Sequence, residues 1–260
     1  MIYEEAGQER LHDRSSRSPF NTRAIVKQTC EARLQWFCFN ISISGQLILM
    51  STSPPSPRLF VIFAKEAHVA AIFARGPTNW FHVIRWDTRN DVYESGAWMR
   101  GRLYPQRCDL SPDGELLLYF VLQARPWRTN YKSSWTAVSR LPWLHALGLW
   151  PEGGTWGGGG YFIANRIISL SSCSLGQAHA DHIPHGLEVF NSGGKRKSSS
   201  NEVAGAEWSG RDQNNRLIFT ANGKLHWQRD DQTVQVLADF NGDKPDPCEA
   251  PEWAKRPLTD

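Results

Sequence analysis

No stretch of this 260-residue chain approaches the roughly 18 consecutive apolar residues of a membrane-crossing helix. The first residues are polar and mixed in charge (Glu4, Glu5, Glu9, Arg10), which does not make a secretory signal. Cysteine is sparse and odd in number, at Cys30, Cys38, Cys108, Cys173 and Cys248, and no two stand as Cys-x-x-Cys. That spacing excludes a zinc ribbon and a thioredoxin-type redox motif. Free, buried thiols in a reducing compartment fit it instead, so a cytoplasmic protein with no membrane attachment is expected. The common catalytic signatures are missing too. No Gly-x-Ser-x-Gly elbow occurs, and Ser192-Gly-Gly-Lys195 matches Ser-x-x-Lys by composition alone. The run Gly157–Gly160 leads into Tyr161 and Phe162 rather than Gly-Lys-Ser/Thr, so it reads as a turn and not as a nucleotide phosphate loop.

Aromatic residues are what the chain has in quantity: twelve Trp and twelve Phe. Such residues fit pleated, half-buried surfaces, and most of them are expected to pack a sheet core. The net charge of +3 is too small to demand a nucleic-acid or membrane partner.

One stretch fixes the fold class. Ser111-Pro112-Asp113-Gly114 is a turn, with Pro112 presetting φ, Asp113 able to bond its own backbone and Gly114 taking positive φ. It feeds Leu116–Leu122, a run apolar on both faces and too short for a typical helix, which predicts a fully buried strand. Similar short strands are expected at 59–63 and 80–86 and from Val92 to a stop at Gly96, and the Ala-containing run 65–75, which also suits a helix, is read as a strand because it is short and ends at Gly76-Pro77. Residues 123–135 read as a basic, aromatic loop. Further strands are expected around Tyr161–Ile163, Ile167–Leu170 and Leu187–Phe190. Leu217–Thr220 and Lys224–Trp227 flank Asn222-Gly223, the favoured pair for a type I′ hairpin. The Pro-rich tail from Pro245 onward is expected to be edge or coil.

Residues 1–56 differ in texture. They begin polar and end in the Ser/Pro-rich run Met50–Pro57. They are expected to be an N-terminal extension, either disordered or not native, with Met50 as the alternative start. N-terminal sequencing of the native protein separates these. Residues 57–260 are expected to form one all-β domain.

Ser111-Pro-Asp-Gly-Glu-Leu-Leu-Leu-Tyr-Phe120 resembles the turn and strand of WD40-like repeats in TolB-type β-propellers. Arg216-Leu-Ile-Phe219 with Asn222-Gly-Lys-Leu-His-Trp227, and Trp86-Asp-Thr88, look like further fragments of such blades. At roughly 40–45 residues per blade, the length from residue 57 holds about four to five. The resemblance implies an irregular or small β-propeller-like domain of antiparallel meanders. Arg58–Trp150 also resembles uncharacterised bacterial proteins, which brings no activity with it.

Three candidate sites stand out. The loop residues Arg125, Trp127, Arg128, Tyr131 and Trp135 are the residue types that anchor interfaces, and they point to a protein partner. His179, Asp181, His182 and His185 put three imidazoles and a carboxylate within seven residues, a set that would hold a divalent metal. Exposed loop histidines are the plainer reading of that run. Asp239, Asn241, Asp243 and Asp246 resemble the start of a calcium loop, but Lys244 stands where such a loop needs Gly. With no nucleophile, base and orienting group in recognisable spacing, the reading is a non-catalytic binding or interaction module without a cofactor. The alternative is a metal-assisted hydrolase using the histidine cluster.

Overall fold

The computed structural model describes residues 55–76, 79–123, 133–171, 177–191 and 201–258. The chain divides into Met1–Thr52 and Ser53–Asp260, and every described residue lies in the second unit. That unit is all-β.

Its first sheet is a four-stranded meander of β1 (Arg58–Phe63), β2 (Val69–Arg75), β3 (Trp80–Asp87) and β4 (Val92–Arg100). The second contains β5 (Arg102–Leu103), β6 (Asp109–Leu110), β7 (Leu116–Leu122), β8 (Ser134–Arg140) and β9 (Gly148–Pro151). Its order is β5-β7-β8-β9, with β6 also on β7. The third is β10 (Gly160–Ala164), β11 (Ile167–Leu170) and β12 (Glu188–Asn191). The fourth is the meander β13 (Trp208–Arg211), β14 (Leu217–Ala221), β15 (Lys224–Gln228) and β16 (Val234–Asp239). Among the described residues no helix is long and apolar enough to cross a membrane.

The sheets stack through three apolar layers, and strand alternation decides which residue enters which layer. On β2, Ala71 and Phe73 face the second sheet beside Leu117, Tyr119 and Val121, while Ala70 and Ile72 face the fourth beside Trp208, Ile218 and Leu225. On β7, Leu116 and Leu118 turn to the third sheet and meet Phe162, Ile168 and Leu170. β2 and β7 are therefore covered on both sides, which is why each is written as an unbroken apolar run. Arg216 pins the first sheet to the fourth. Its Nε donates to Asp212 Oδ2 at 2.6 Å, and its Nη1 to Asp91 Oδ2 at 2.8 Å. Its guanidinium lies over the rings of Trp86 and Trp227. The hydrogen bonds to Asp91, with those to Asp212, push its pKa above the ordinary arginine value against the cost of burial.

The central turn forms as expected, with Gly114 at φ +75° and its amide donating to Ser111 O. In the hairpin of β14 and β15, Asn222 and Gly223 sit at φ +53° and +73°, as a type I′ turn requires. Four expectations are corrected. β4 does not stop at Gly96 but runs through it to Arg100, because Gly96 is a packing glycine: a Cβ there would fall on Pro142. β12 pairs parallel to β11, so the third sheet is not a simple antiparallel meander. The tail is not wholly edge or coil, since Glu252–Lys255 make one helical turn, α1, directly after Pro251. Trp135 is not a loop residue. It lies in β8, 9% exposed, in the layer between the first and second sheets, where it packs and is not presented to a partner.

Candidate functional site

The register of the first hairpin builds an unusual feature. Arg58 on β1 lies directly opposite Arg75 on β2, and two residues further in Phe60 lies opposite Phe73. The period of two puts all four on one face, the face that carries Ile62, Ala71 and Phe73 into the layer against the second sheet. Arg75 is also the cross-strand partner of Phe81. At this end of the interface the apolar filling stops and a cleft of about 690 Å³ opens. Arg58, Arg75, Phe60, Phe73 and Phe81 line one side; Arg102, Leu103, Tyr104 and Arg107 line the other, with Glu207 at the edge.

Like charges directly opposite in an antiparallel pair are destabilising. An acidic neighbour would relieve the pair, and elsewhere in the unit that remedy is used. Arg85 pairs with Glu94, Arg211 with Glu202, Lys224 with Asp239, and Lys255 with Glu249 and Glu252. Among the described residues none of the four cleft arginines makes an ion pair, and only Glu207 brings a carboxylate to the lining. The cleft therefore carries an excess of three positive charges: Arg58, Arg75, Arg102 and Arg107 against Glu207, or 4 − 1 = 3.

Arg107 is fixed from behind. It lies on a single 3₁₀ turn, Pro105–Arg107, and its Nη1 donates to Thr155 O at 2.8 Å and to Gly157 O at 2.7 Å. Its guanidinium lies over the rings of Tyr104 and Phe120, and Arg102 also lies over Tyr104. The glycine run of 157–160 has its use here. A Cβ at Gly158 would collide with the Phe120 ring, and one at Gly159 with the Arg107 carbonyl. The run lets the loop close onto Arg107. The loop holds the Arg107 side chain through its own carbonyls.

The histidine run forms a turn beside β9. The His179 amide donates to Leu149 O and the His182 amide to His179 O. His182 Nδ1 donates to Ala146 O at 2.9 Å, and His179 Nδ1 stands 3.7 Å from Asp181 Oδ2. The ring of His182 is 6.1 Å from that of His179 and 6.4 Å from that of His145, while His185 is exposed. Among the described residues no three His, Cys, Asp or Glu side chains gather as metal ligands. In the calcium-like run, Asp239 accepts from the Asn241 amide and pairs with Lys224, and Asp243 turns to His82. Those oxygens serve protein donors. Arg125, Trp127, Arg128 and Tyr131 lie outside the described residues.

Sequence spacing hides one further constellation. His82 Nε2 lies 2.8 Å from Ser95 Oγ, and its Nδ1 lies 3.3 Å from Asp243 Oδ2. A carboxylate only accepts, so Nδ1 carries the proton and Ser95 donates to Nε2. Trp98 stacks on the imidazole at 4.2 Å. Burial lowers the His82 pKa, and Asp243 opposes that shift. The residue types are those of a hydrolase triad. The setting differs, because Ser95 sits mid-strand in β4 instead of on a sharp turn, and the Ala97 amide donates to Pro142 O instead of facing an oxyanion. The trio clamps β3, β4 and the turn after β16 together.

The cleft was not visible in the sequence because its arginines are scattered over positions 58 to 107, and only strand register and sheet stacking gather them. No protein-family model matches the chain, and no curated protein is similar to it in sequence.

Proposed function

We propose that this protein is a non-catalytic binding module, on a propeller-like scaffold, that takes an anionic ligand in the cleft between its first and second sheets. The observation that carries this is the Arg58–Arg75 pair. Two arginines opposite one another in the strand register, with Arg102 and Arg107 in the same lining and, among the described residues, no ion pair to any of the four, make a site that an anion would relieve. Oriented forks suit carboxylate or phosphate oxygens better than flexible lysines would. Among the described lining residues no nucleophile is paired with a base, which favours binding over turnover. The scaffold reading draws support from the face-to-face stacking of four sheets, in which the first strand of the first sheet meets β6 of the second and the first strand of the fourth.

The test is thermal unfolding at low salt with phosphate, pyrophosphate or citrate added. A ligand that binds only the folded state raises the melting temperature with its concentration. The rise is expected for at least one of these anions and is lost in the Arg75→Ala, Arg102→Ala double variant. If no anion shifts the wild-type midpoint, the reading fails.

A further inference from the structure

Resting on that binding reading, we infer that the ligand is a small molecule joining a flat aromatic ring to a polyanion of the phosphate class, in the manner of a nucleoside phosphate. The charge sets the anion. An excess of three positive charges is more than one carboxylate neutralises, whereas a phosphate chain with two or more charges matches it. The remainder of the lining sets the ring. Phe60 and Phe73 form an aromatic cross-strand pair on the cleft face, with Phe81 beside Arg75. Phe60 and Tyr104 are half-buried, so each offers ring surface to the cleft, while Phe73 and Phe81 are buried beneath. Tyr104 is flanked by two guanidinium groups, 5.3 Å and 5.5 Å from its centroid. Guanidinium planes and aromatic faces both stack on a nucleobase, and the same guanidinium forks grip phosphate.

Size points the same way. A volume of about 690 Å³ falls in the range of small-molecule sites, roughly 300–1,000 Å³. It is far more than a lone phosphate fills, so an inorganic ion would leave the aromatic floor unused.

Calorimetric titration of the full chain decides this, with four probes: a purine nucleoside triphosphate, the matching nucleoside monophosphate, the nucleoside alone, and pyrophosphate. The triphosphate is expected to bind at least about tenfold more tightly than pyrophosphate and than the nucleoside. Phe60→Ala is expected to remove that advantage over pyrophosphate, and Arg75→Lys, which keeps the charge but loses the fork, to weaken both by about tenfold. Both variants must first show wild-type circular dichroism. If Phe60→Ala does not fold, Phe60→Leu replaces it, keeping the apolar bulk while removing the ring. Pyrophosphate binding as tightly as the triphosphate overturns the ring and leaves the anion site standing. Silence from every phosphate probe overturns the phosphate-class ligand, and the anion site falls with it only if citrate also leaves the melting temperature unchanged.

Discussion

At the scale of single residues, His82 shows how burial turns an ordinary side chain into a pH-dependent strut. It is 4% exposed, held between Ser95 and Asp243, and burial keeps its folded pKa below the ordinary histidine value of 6.5. A histidine with a depressed folded pKa binds more protons when unfolded. Its stabilising effect is therefore complete above pH 6.5 and declines as the pH falls through that value. His145 shifts the same way, through burial and then the charge of His182. The carboxylates with lowered values, Asp87, Asp231, Asp239 and Glu249, act well below this window, since carboxylates of these types ordinarily titrate at 3.8 to 4.5. Between pH 7.5 and 5.5 urea unfolding should thus show falling stability, with His82 contributing at most ~1.4 kcal/mol per pH unit. The His82→Gln variant should be less stable overall but show a shallower pH slope. An unchanged slope would mean that His82 binds its proton equally well in the folded and unfolded chain.

At the scale of elements, the strands were legible and their partners were not. Short apolar or alternating runs bounded by Gly, Pro, Asn and Asp mark β1, β2, β3, β7, β14 and β15 because each lies near its own turn. Gly96 misleads for a physical reason. A glycine in a strand signals an end when its backbone freedom is being used, yet here it is used for lack of a Cβ, which only the distant Pro142 reveals. Trp135 misleads similarly: basic and polar neighbours suggest an exposed loop, while the β7–β8 register places it opposite Val121 in the core. The arginine cleft was hidden in the same way, although the Arg58–Arg75 pair follows from the register of a single hairpin. Gly96→Ala tests the packing argument. The added methyl must displace Pro142 and the Ala97 N–H···O bond to it, so a loss of roughly 1–3 kcal/mol is expected in urea unfolding. A midpoint within error of wild type would show that the 141–147 segment yields at little cost.

At the scale of the whole Ser53–Asp260 unit, the sheets differ in how they are held, and stability should follow. The first sheet is covered on both faces, by the second sheet on one side and the fourth on the other. The third sheet has three short strands and touches one neighbour through Phe162, Ile168 and Leu170. Its outermost strand, β12, is exposed at all four residues and joined by a parallel ladder, the weaker kind per residue. Local opening draws on regions with few buried contacts, so β12 should exchange its amide hydrogens through fluctuations that leave the other sheets closed. Hydrogen exchange read by mass spectrometry should place its opening free energy at least ~2 kcal/mol below that of β2, β3 and β7. Adding a ligand that binds the cleft should slow exchange in β1, β2 and β5, whose arginines line it, and leave β12 unchanged. Equal protection of β12 and β7 would mean that the unit opens only as one body, and that the third sheet is held by more than its single apolar layer.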